Sequence, residues 1–178
     1  MIDDIGREIK QTPRALIVGL GDARHTDAGV GLEVADALAQ GGLPEGVEVY
    51  RAGGALDAVS EMADYSAAVM ILAAEMHLPP GEVRTFTPEE LEEALVETSV
   101  AGRGLGLTDA LEVAGMTGDL PAIRVIGVQP GDVGPGFSRL SEAVKAAMPR
   151  VAEEARAALA ELLADLPEAA APGDDEDV

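Results

Sequence analysis

The sequence predicts an α/β fold in which a mostly parallel sheet is covered by helices on both faces. Two observations indicate this fold. Short runs of branched apolar residues alternate along the chain with stretches of helical periodicity. The first run, Ala15–Leu20, is apolar throughout and punctuated by glycine, as is typical of a parallel strand buried on both faces. Strands that alternate with helices in this way form a mostly parallel sheet.

Five segments have the pattern of strands. Four are short runs rich in apolar residues, and one alternates charged and apolar residues as a half-exposed edge strand does. In chain order they are Ala15–Leu20, 47–50, 69–73, the edge segment 82–86, and 123–128.

Helical signals lie between these strands. Val30, Val34 and Leu38 are four residues apart and form one apolar stripe, which ends at Gly41 and Gly42. Further helices are predicted over 56–65, from Thr87 onward, through Leu107, Leu111 and Ala114, and over 141–166.

Two of these helices carry specific local signals. Thr87-Pro88-Glu89-Glu90 is a complete capping box, with a hydroxyl at the cap and a glutamate three residues later, so a helix begins there. In 141–166, Pro149 lacks an N–H and clashes with the preceding turn. The sequence therefore predicts a kink or two abutting helices.

Length and composition indicate one domain with an extension at each end. We expect an N-terminal extension over 1–14 that lacks the apolar centre of a signal peptide, and a domain over 15–166. Residues 167–178 end in Pro-Gly followed by four acids, which predicts a disordered acidic tail, with an acidic docking arm as the alternative. No apolar run approaches the roughly 20 residues of a membrane-spanning helix, so we expect a cytoplasmic protein.

Charge and cysteine content exclude several functions. The net charge is −21, from 33 acidic and 12 basic residues, and it would repel a nucleic-acid backbone. The chain has no cysteine, which excludes disulfides, thiolate metal sites and thiol nucleophiles.

In parallel sheets the functional site lies at the carboxyl ends of the strands. The loop after the first strand carries a Gly19-x-Gly21 pair, but Arg24 replaces the third glycine of a dinucleotide fingerprint. The residue directly after the second strand is Arg51 rather than a ribose-binding acid. No serine lies in a G-x-S-x-G turn. The residues themselves therefore identify neither a nucleotide site nor a catalytic triad.

The segment from Gly19 to Gly31, GLGDARHTDAGVG, resembles the opening motif of hydrogenase maturation proteases. In that motif a strand ends in G-x-G-N, four variable residues and an acidic pair follow, and a glycine marks the start of a helix. The resemblance runs from about residue 15 to 163, in the family's order and spacing. Its other pieces are Val47-Glu48-Val49 leading into Gly53-Gly54, Pro80-Gly81-Glu82-Val83, Leu105-Gly106-Leu107-Thr108-Asp109-Ala110-Leu111, Thr117-Gly118-Asp119-Leu120-Pro121 and Ile126-Gly127-Val128-Gln129-Pro130.

This resemblance implies a five-stranded α/β domain and a role in nickel-iron hydrogenase maturation. The family removes a short C-terminal extension from the hydrogenase large subunit after nickel insertion, using two acids and a histidine that converge on the substrate's nickel. Those three positions are Ala28, Ala73 and Arg103 here. Neither a methyl group nor a guanidinium can coordinate a metal, so the resemblance implies a divergent member without the ligands.

The family's substrate loop is also altered. Its leading aspartate is replaced in Arg51-Ala52-Gly53-Gly54. Arg51, Gly53, Gly54 and Arg103 are therefore the candidate substrate-binding residues, and the two arginines could form a positive spot that receives a carboxylate of the client.

A rival interpretation keeps a metal in a displaced site. The two histidines of the chain, His25 and His77, lie in loops at the same predicted edge as Asp27 and Glu75. Together the four residues offer two nitrogen and two oxygen ligands. The alternative is that they are ordinary polar loop residues.

Three functional hypotheses follow. We favour a maturation factor that binds the hydrogenase large subunit or its precursor with impaired or no peptidase activity, and that has no cofactor beyond the nickel its substrate carries. The second hypothesis is an active metal-dependent endopeptidase that uses the displaced ligands. The third is an unrelated small-molecule enzyme on the same fold.

Overall fold

The computed structural model of the chain describes residues 14–94, 106–118, 120–137 and 139–166. Residues 1–13 of the predicted extension over 1–14, the tail from 167, and Arg103 lie outside the described residues. The described strands are β1 (Ala15–Leu20), β2 (Val47–Ala52), β3 (Ala67–Ala73), β4 (Val83–Phe86) and β5 (Ala122–Val128). The helices are α1 (Val30–Gln40), α2 (Ala55–Met62), α3 (Pro88–Ala94), α4 (Leu107–Thr117) and α5 (Glu142–Asp165), with a 3-10 turn at Asp27–Gly29 before α1.

The strands form one five-stranded sheet in the order β2-β1-β3-β5-β4. β1 pairs in parallel with β2 and β3, and β3 pairs in parallel with β5. β4 is antiparallel to β5 and lies at the sheet edge. The predicted α/β class, the mostly parallel sheet and the edge strand are therefore confirmed.

Helices cover both faces of this sheet. Successive strand side chains point to opposite sides, and both sets are apolar here, so each face needs a covering layer. Ile17 and Val69 face α1 and α5, where they pack with Val151. Leu16 and Met70 face the opposite layer of α2, α3 and α4.

Among the helices that the structure describes, none has the length and apolar character needed to cross a membrane.

The capping box is present as predicted. Glu90 donates its backbone N–H to Thr87 Oγ1 at 3.2 Å, and Thr87 donates its own N–H to Glu90 Oε2 at 2.9 Å. These reciprocal bonds satisfy two donors that a helix start leaves free. The helix consequently begins at Pro88.

Two local predictions need correction. Of the predicted alternatives, a kink or two abutting helices, the second is wrong, because α5 is a single helix that contains Pro149. Val144 and Val151 are buried on either side of the proline, and this shared apolar face offsets the lost backbone bond. β2 extends to Ala52, because its pairing with β1 continues through Arg51 and Gly19. Arg51 therefore lies in a strand rather than in a loop.

The glycines of the first motif allow α1 to pack against the strands at backbone distance. A Cβ added to Gly31 would lie 2.2 Å from the Ile71 carbonyl oxygen and 2.5 Å from that of Leu20. A Cβ on Gly19 would lie 2.3 Å from the Gly31 carbonyl oxygen. Contacts this short exclude any side chain, so these two glycines serve helix–sheet packing.

Candidate functional site

The carboxyl ends of β1, β2, β3 and β5 meet at one edge of the sheet, and their loops form its surface. Of the polar side chains that the structure describes, Asp27 and Gln129 are the buried ones, and both lie at this edge. Burial of a polar group is costly unless it is hydrogen-bonded. The bonds that these two side chains make therefore show how the edge is built.

Asp27 joins the loop after β1 to the loop after β5. Its carboxylate accepts backbone N–H bonds from Gly131 at 2.7 Å, Asp132 at 2.9 Å and Ser141 at 2.7 Å, and a hydroxyl bond from Ser141 at 2.7 Å. Burial favours the neutral acid, but these four bonds outweigh it, and the pKa of Asp27 lies below its ordinary value. Asp27 is therefore ionised and holds the two loops together, an arrangement that we call the Asp27 clamp.

Gln129 joins the end of β5 to the loop after β3. Its side-chain oxygen accepts N–H bonds from Met76 at 2.8 Å and Leu78 at 3.2 Å, and its amide nitrogen donates to Glu75 Oε1 at 3.0 Å. The same Glu75 oxygen accepts the backbone N–H of His77 at 2.9 Å. The His77 and Gln129 donors hold the pKa of Glu75 below its ordinary value.

A third cluster lies in the loop after β1. Arg24 donates from Nε and Nη2 to the two carboxylate oxygens of Asp22, each at 2.9 Å, and His25 Nδ1 lies 3.1 Å from Asp22 Oδ2. The Arg24 guanidinium, with the Arg24 backbone N–H and His25, holds the pKa of Asp22 well below its usual range. The ionised Asp22 orients the His25 ring and favours the tautomer that carries its proton on Nδ1.

These contacts do not bring the displaced ligand set together. No group of three or more histidine, aspartate or glutamate side chains with metal-binding geometry occurs in the part of the chain that the structure describes. Asp27 directs its oxygens to backbone donors, and His25 is oriented by Asp22. His77 lies near Glu75 alone, with 3.7 Å between Nδ1 and Oε1. The expectation that the four residues share one site is thus not met by the side chains as placed.

The candidate substrate residues at the end of β2 have two different environments. Arg51 Nη1 lies 3.3 Å from Asp36 Oδ2 on α1, so its charge is partly compensated. Gly53 and Gly54 have open space around them, because an added Cβ would meet no atom within 4 Å. Neither glycine has a positive φ, so neither packing nor backbone conformation requires glycine here.

Comparisons with known proteins identify this architecture. A sequence model of the hydrogenase maturation protease family matches residues 32–158. The hydrogenase 2 maturation protease of Escherichia coli strain K12 is 30% identical over 152 residues, which cover 83% of this chain and 92% of that protein. The chain belongs to the hydrogenase maturation protease family.

Solved structures of this family share the fold. The hydrogenase maturating endopeptidase HybD from E. coli superimposes with a TM-score of 0.72 at 28% identity, covering 83% of this chain and 93% of that one. The hydrogenase maturation protease HybD from Thermococcus kodakarensis gives 0.65 at 28% identity, with 81% and 97% covered. The chain is therefore one maturation-protease domain over most of its length.

Within this maturation-protease fold, two of the positions implied as nickel ligands are described. Ala28 is buried in the turn that precedes α1, and Ala73 is half-buried at the end of β3. This turn packs directly against β3. The two positions thus lie on neighbouring elements of the same edge, and both present methyl groups where a ligand would need a lone pair.

The sequence patterns do not single out Asp22, Gln129 or Ser141, and they offer Asp27 as a metal ligand only in the rival interpretation. Gln129-Pro130 was noted only as part of a motif. A polar residue directly after a buried strand was the available signal, because such a position needs a hydrogen-bonding partner.

Proposed function

We propose that this protein is a nickel-iron hydrogenase maturation factor that binds the hydrogenase large subunit or its precursor in the cytoplasm, with impaired or no peptidase activity. The observation that carries this proposal is the pair Ala28 and Ala73. The edge around them keeps the family's architecture, while the two positions themselves can no longer coordinate the nickel of a substrate.

Retention of binding is supported by the state of the surrounding loops. Asp27 and Gln129 fix the loops after β1, β3 and β5 through buried bonds that involve no metal. A surface that is ordered before its partner arrives loses less conformational entropy on binding. The protein could therefore still bind its client after peptidase activity is lost.

Active peptidase chemistry through displaced ligands is the alternative outcome. The contact between Asp22 and His25 is the observation in its favour, because an oriented imidazole could act as a general base. Hydrolysis would still require a group that polarises the amide carbonyl, and the described residues assemble no metal cluster for this role.

The test is to incubate the purified protein with a nickel-loaded large-subunit precursor, and to measure both capture and the mass of the precursor. We expect capture with an unchanged precursor mass. The matched control is the triple variant Ala28→Glu, Ala73→Asp, Arg103→His, which should gain cleavage. Loss of the C-terminal extension with the wild-type protein would establish the active enzyme, and no capture at all would reject the client.

A further inference from the structure

The segment between β5 and α5 exposes two apolar side chains. Val133 is 51% exposed and Phe137 is 73% exposed. The chain has only four aromatic residues, and the other three, Tyr50, Tyr65 and Phe86, pack against the apolar core. Phe137 is therefore the aromatic side chain that the fold leaves on the surface, where contact between its apolar ring and water is unfavourable.

This exposure occurs on an ordered backbone. The Gly136 N–H donates to the Arg24 carbonyl at 3.0 Å, and the Thr26 N–H donates to the Gly134 carbonyl at 3.0 Å. The Asp27 carboxylate holds the beginning of the same segment through Gly131 and Asp132. The two apolar side chains are thus presented on a braced loop, and little backbone entropy would be lost when they are covered.

The position of the loop relates it to the candidate site. β3 lies between β1 and β5 in the sheet. A segment that leaves β5 and pairs with the loop after β1 must cross the carboxyl end of β3, where Ala73 stands. Val133 and Phe137 consequently lie on the edge that carries the former ligand positions.

Charge indicates what kind of molecule would cover this surface. Asp132 is the only ionisable residue between 131 and 137, and its Oδ1 accepts the Gly134 N–H at 2.8 Å. The whole chain carries a charge of −21, so two copies would repel each other. A different protein that exposes apolar side chains and carries a net positive charge fits both the patch and the overall charge.

We propose that Val133 and Phe137 form a docking surface for an apolar segment of the client. This inference rests on the proposed function, in which the client is the hydrogenase large subunit. Rigid aromatic side chains at the centre of an interface often carry a large share of the binding free energy. Phe137 is the anchor and Val133 extends the surface that it buries.

The experiment compares two double variants that remove exposed apolar groups in equal number. Val133→Ser with Phe137→Ser alters the docking surface. Val113→Ser with Met116→Ser alters side chains on α4 that are 51% and 76% exposed. The dissociation constant for the purified large-subunit precursor is measured by calorimetry, and the melting temperature of each variant by circular dichroism.

We expect the first variant to bind at least about tenfold more weakly and the α4 variant to bind within about twofold of the wild type. Phe137→Leu, which stays apolar, should recover most of the affinity even if the double variant folds poorly. Equal affinity for all variants would overturn the docking surface and leave the proposed function intact. Failure of the wild type to bind would overturn both. Concentration-dependent dimerisation that Phe137→Ser abolishes would assign the surface to a second copy and overturn the proposal.

Discussion

Asp27 caps helix α5 across 114 residues of sequence through its two hydrogen bonds with Ser141. Ser141 occupies the N-cap position of α5, yet its hydroxyl makes no local capping bond and donates to Asp27 instead. A carboxylate at this position satisfies a free N–H and interacts favourably with the helix dipole. The first turn of α5 is therefore fixed by the loop that follows β1.

Replacement of Asp27 by asparagine should strongly destabilise the protein. Asparagine keeps the shape, but its amide group would face backbone donors, and the charge-assisted bonds would be lost. We expect the free energy of unfolding to fall by about 3 kcal/mol. Asp36→Asn, which removes a half-exposed partner of Arg51, is the control and should cost less than about 1 kcal/mol. Urea unfolding measures both, and equal midpoints would contradict the clamp.

The contribution of Asp27 should also depend on pH. Its pKa is lower in the folded protein than the unfolded value of about 3.9, so ionisation stabilises the fold above that value. The stabilisation is lost as the pH falls through the folded pKa. The difference in unfolding free energy between wild type and Asp27→Asn should be constant above about pH 5 and shrink below about pH 4. A difference that does not change over this range would show that charge is unimportant.

Two glycine substitutions should differ in their effect on the free energy of unfolding. Gly31→Ala would place a Cβ 2.2 Å from a backbone oxygen of β3, which forces α1 away from the sheet and should cost at least about 2 kcal/mol. Gly53→Ala meets no atom within 4 Å and should change stability by less than about 0.5 kcal/mol. Thermal melts compare the two. If Gly53→Ala weakens client capture without a change in melting temperature, the open space serves the partner.

Nickel should bind this protein no better than it binds a generic acidic surface. Ala28 and Ala73 supply no lone pair, and the alternative ligands His25 and His77 lie in separate contacts with Asp22 and Glu75. Titration calorimetry with Ni²⁺ should show no single tight site, and His25→Ala or His77→Ala should not alter the isotherm. A tight site abolished by either substitution would instead establish the displaced ligand set.

Charge reversal at the two candidate substrate-binding arginines tests whether they also contribute to binding of the client. Arg51→Glu together with Arg103→Glu should weaken capture of the large subunit in a pull-down, because the family resemblance implies that both positions bind the substrate. The melting temperature should change little, since the Arg51 ion pair with Asp36 is half-exposed. Arg51→Gln with Arg103→Gln is the matched control and should have a smaller effect. Capture equal to that of the wild type would exclude the two arginines as client-binding residues.

The local elements of this fold were predictable, whereas the links between its loops were not. The Thr87–Glu90 capping box and the five strands follow from patterns within a few residues. The partners of Asp27 lie 104 to 114 residues away, and no local pattern encodes them. The rival metal interpretation included Asp27, but its carboxylate accepts hydrogen bonds from backbone donors of a distant segment. Arg51 was likewise assigned to a loop because the continuation of β2 depends on pairing with β1.

The close packing of α1 at Gly19 and Gly31 bears on how members of this family are recognised. The fold requires these glycines whether or not the protein cleaves a substrate, because any side chain would clash with backbone oxygens. The glycine motif therefore reports architecture, while the proposed loss of peptidase activity rests on single positions, Ala28 and Ala73. A survey of genomes by that motif alone would therefore identify the fold without showing whether a member is an active peptidase.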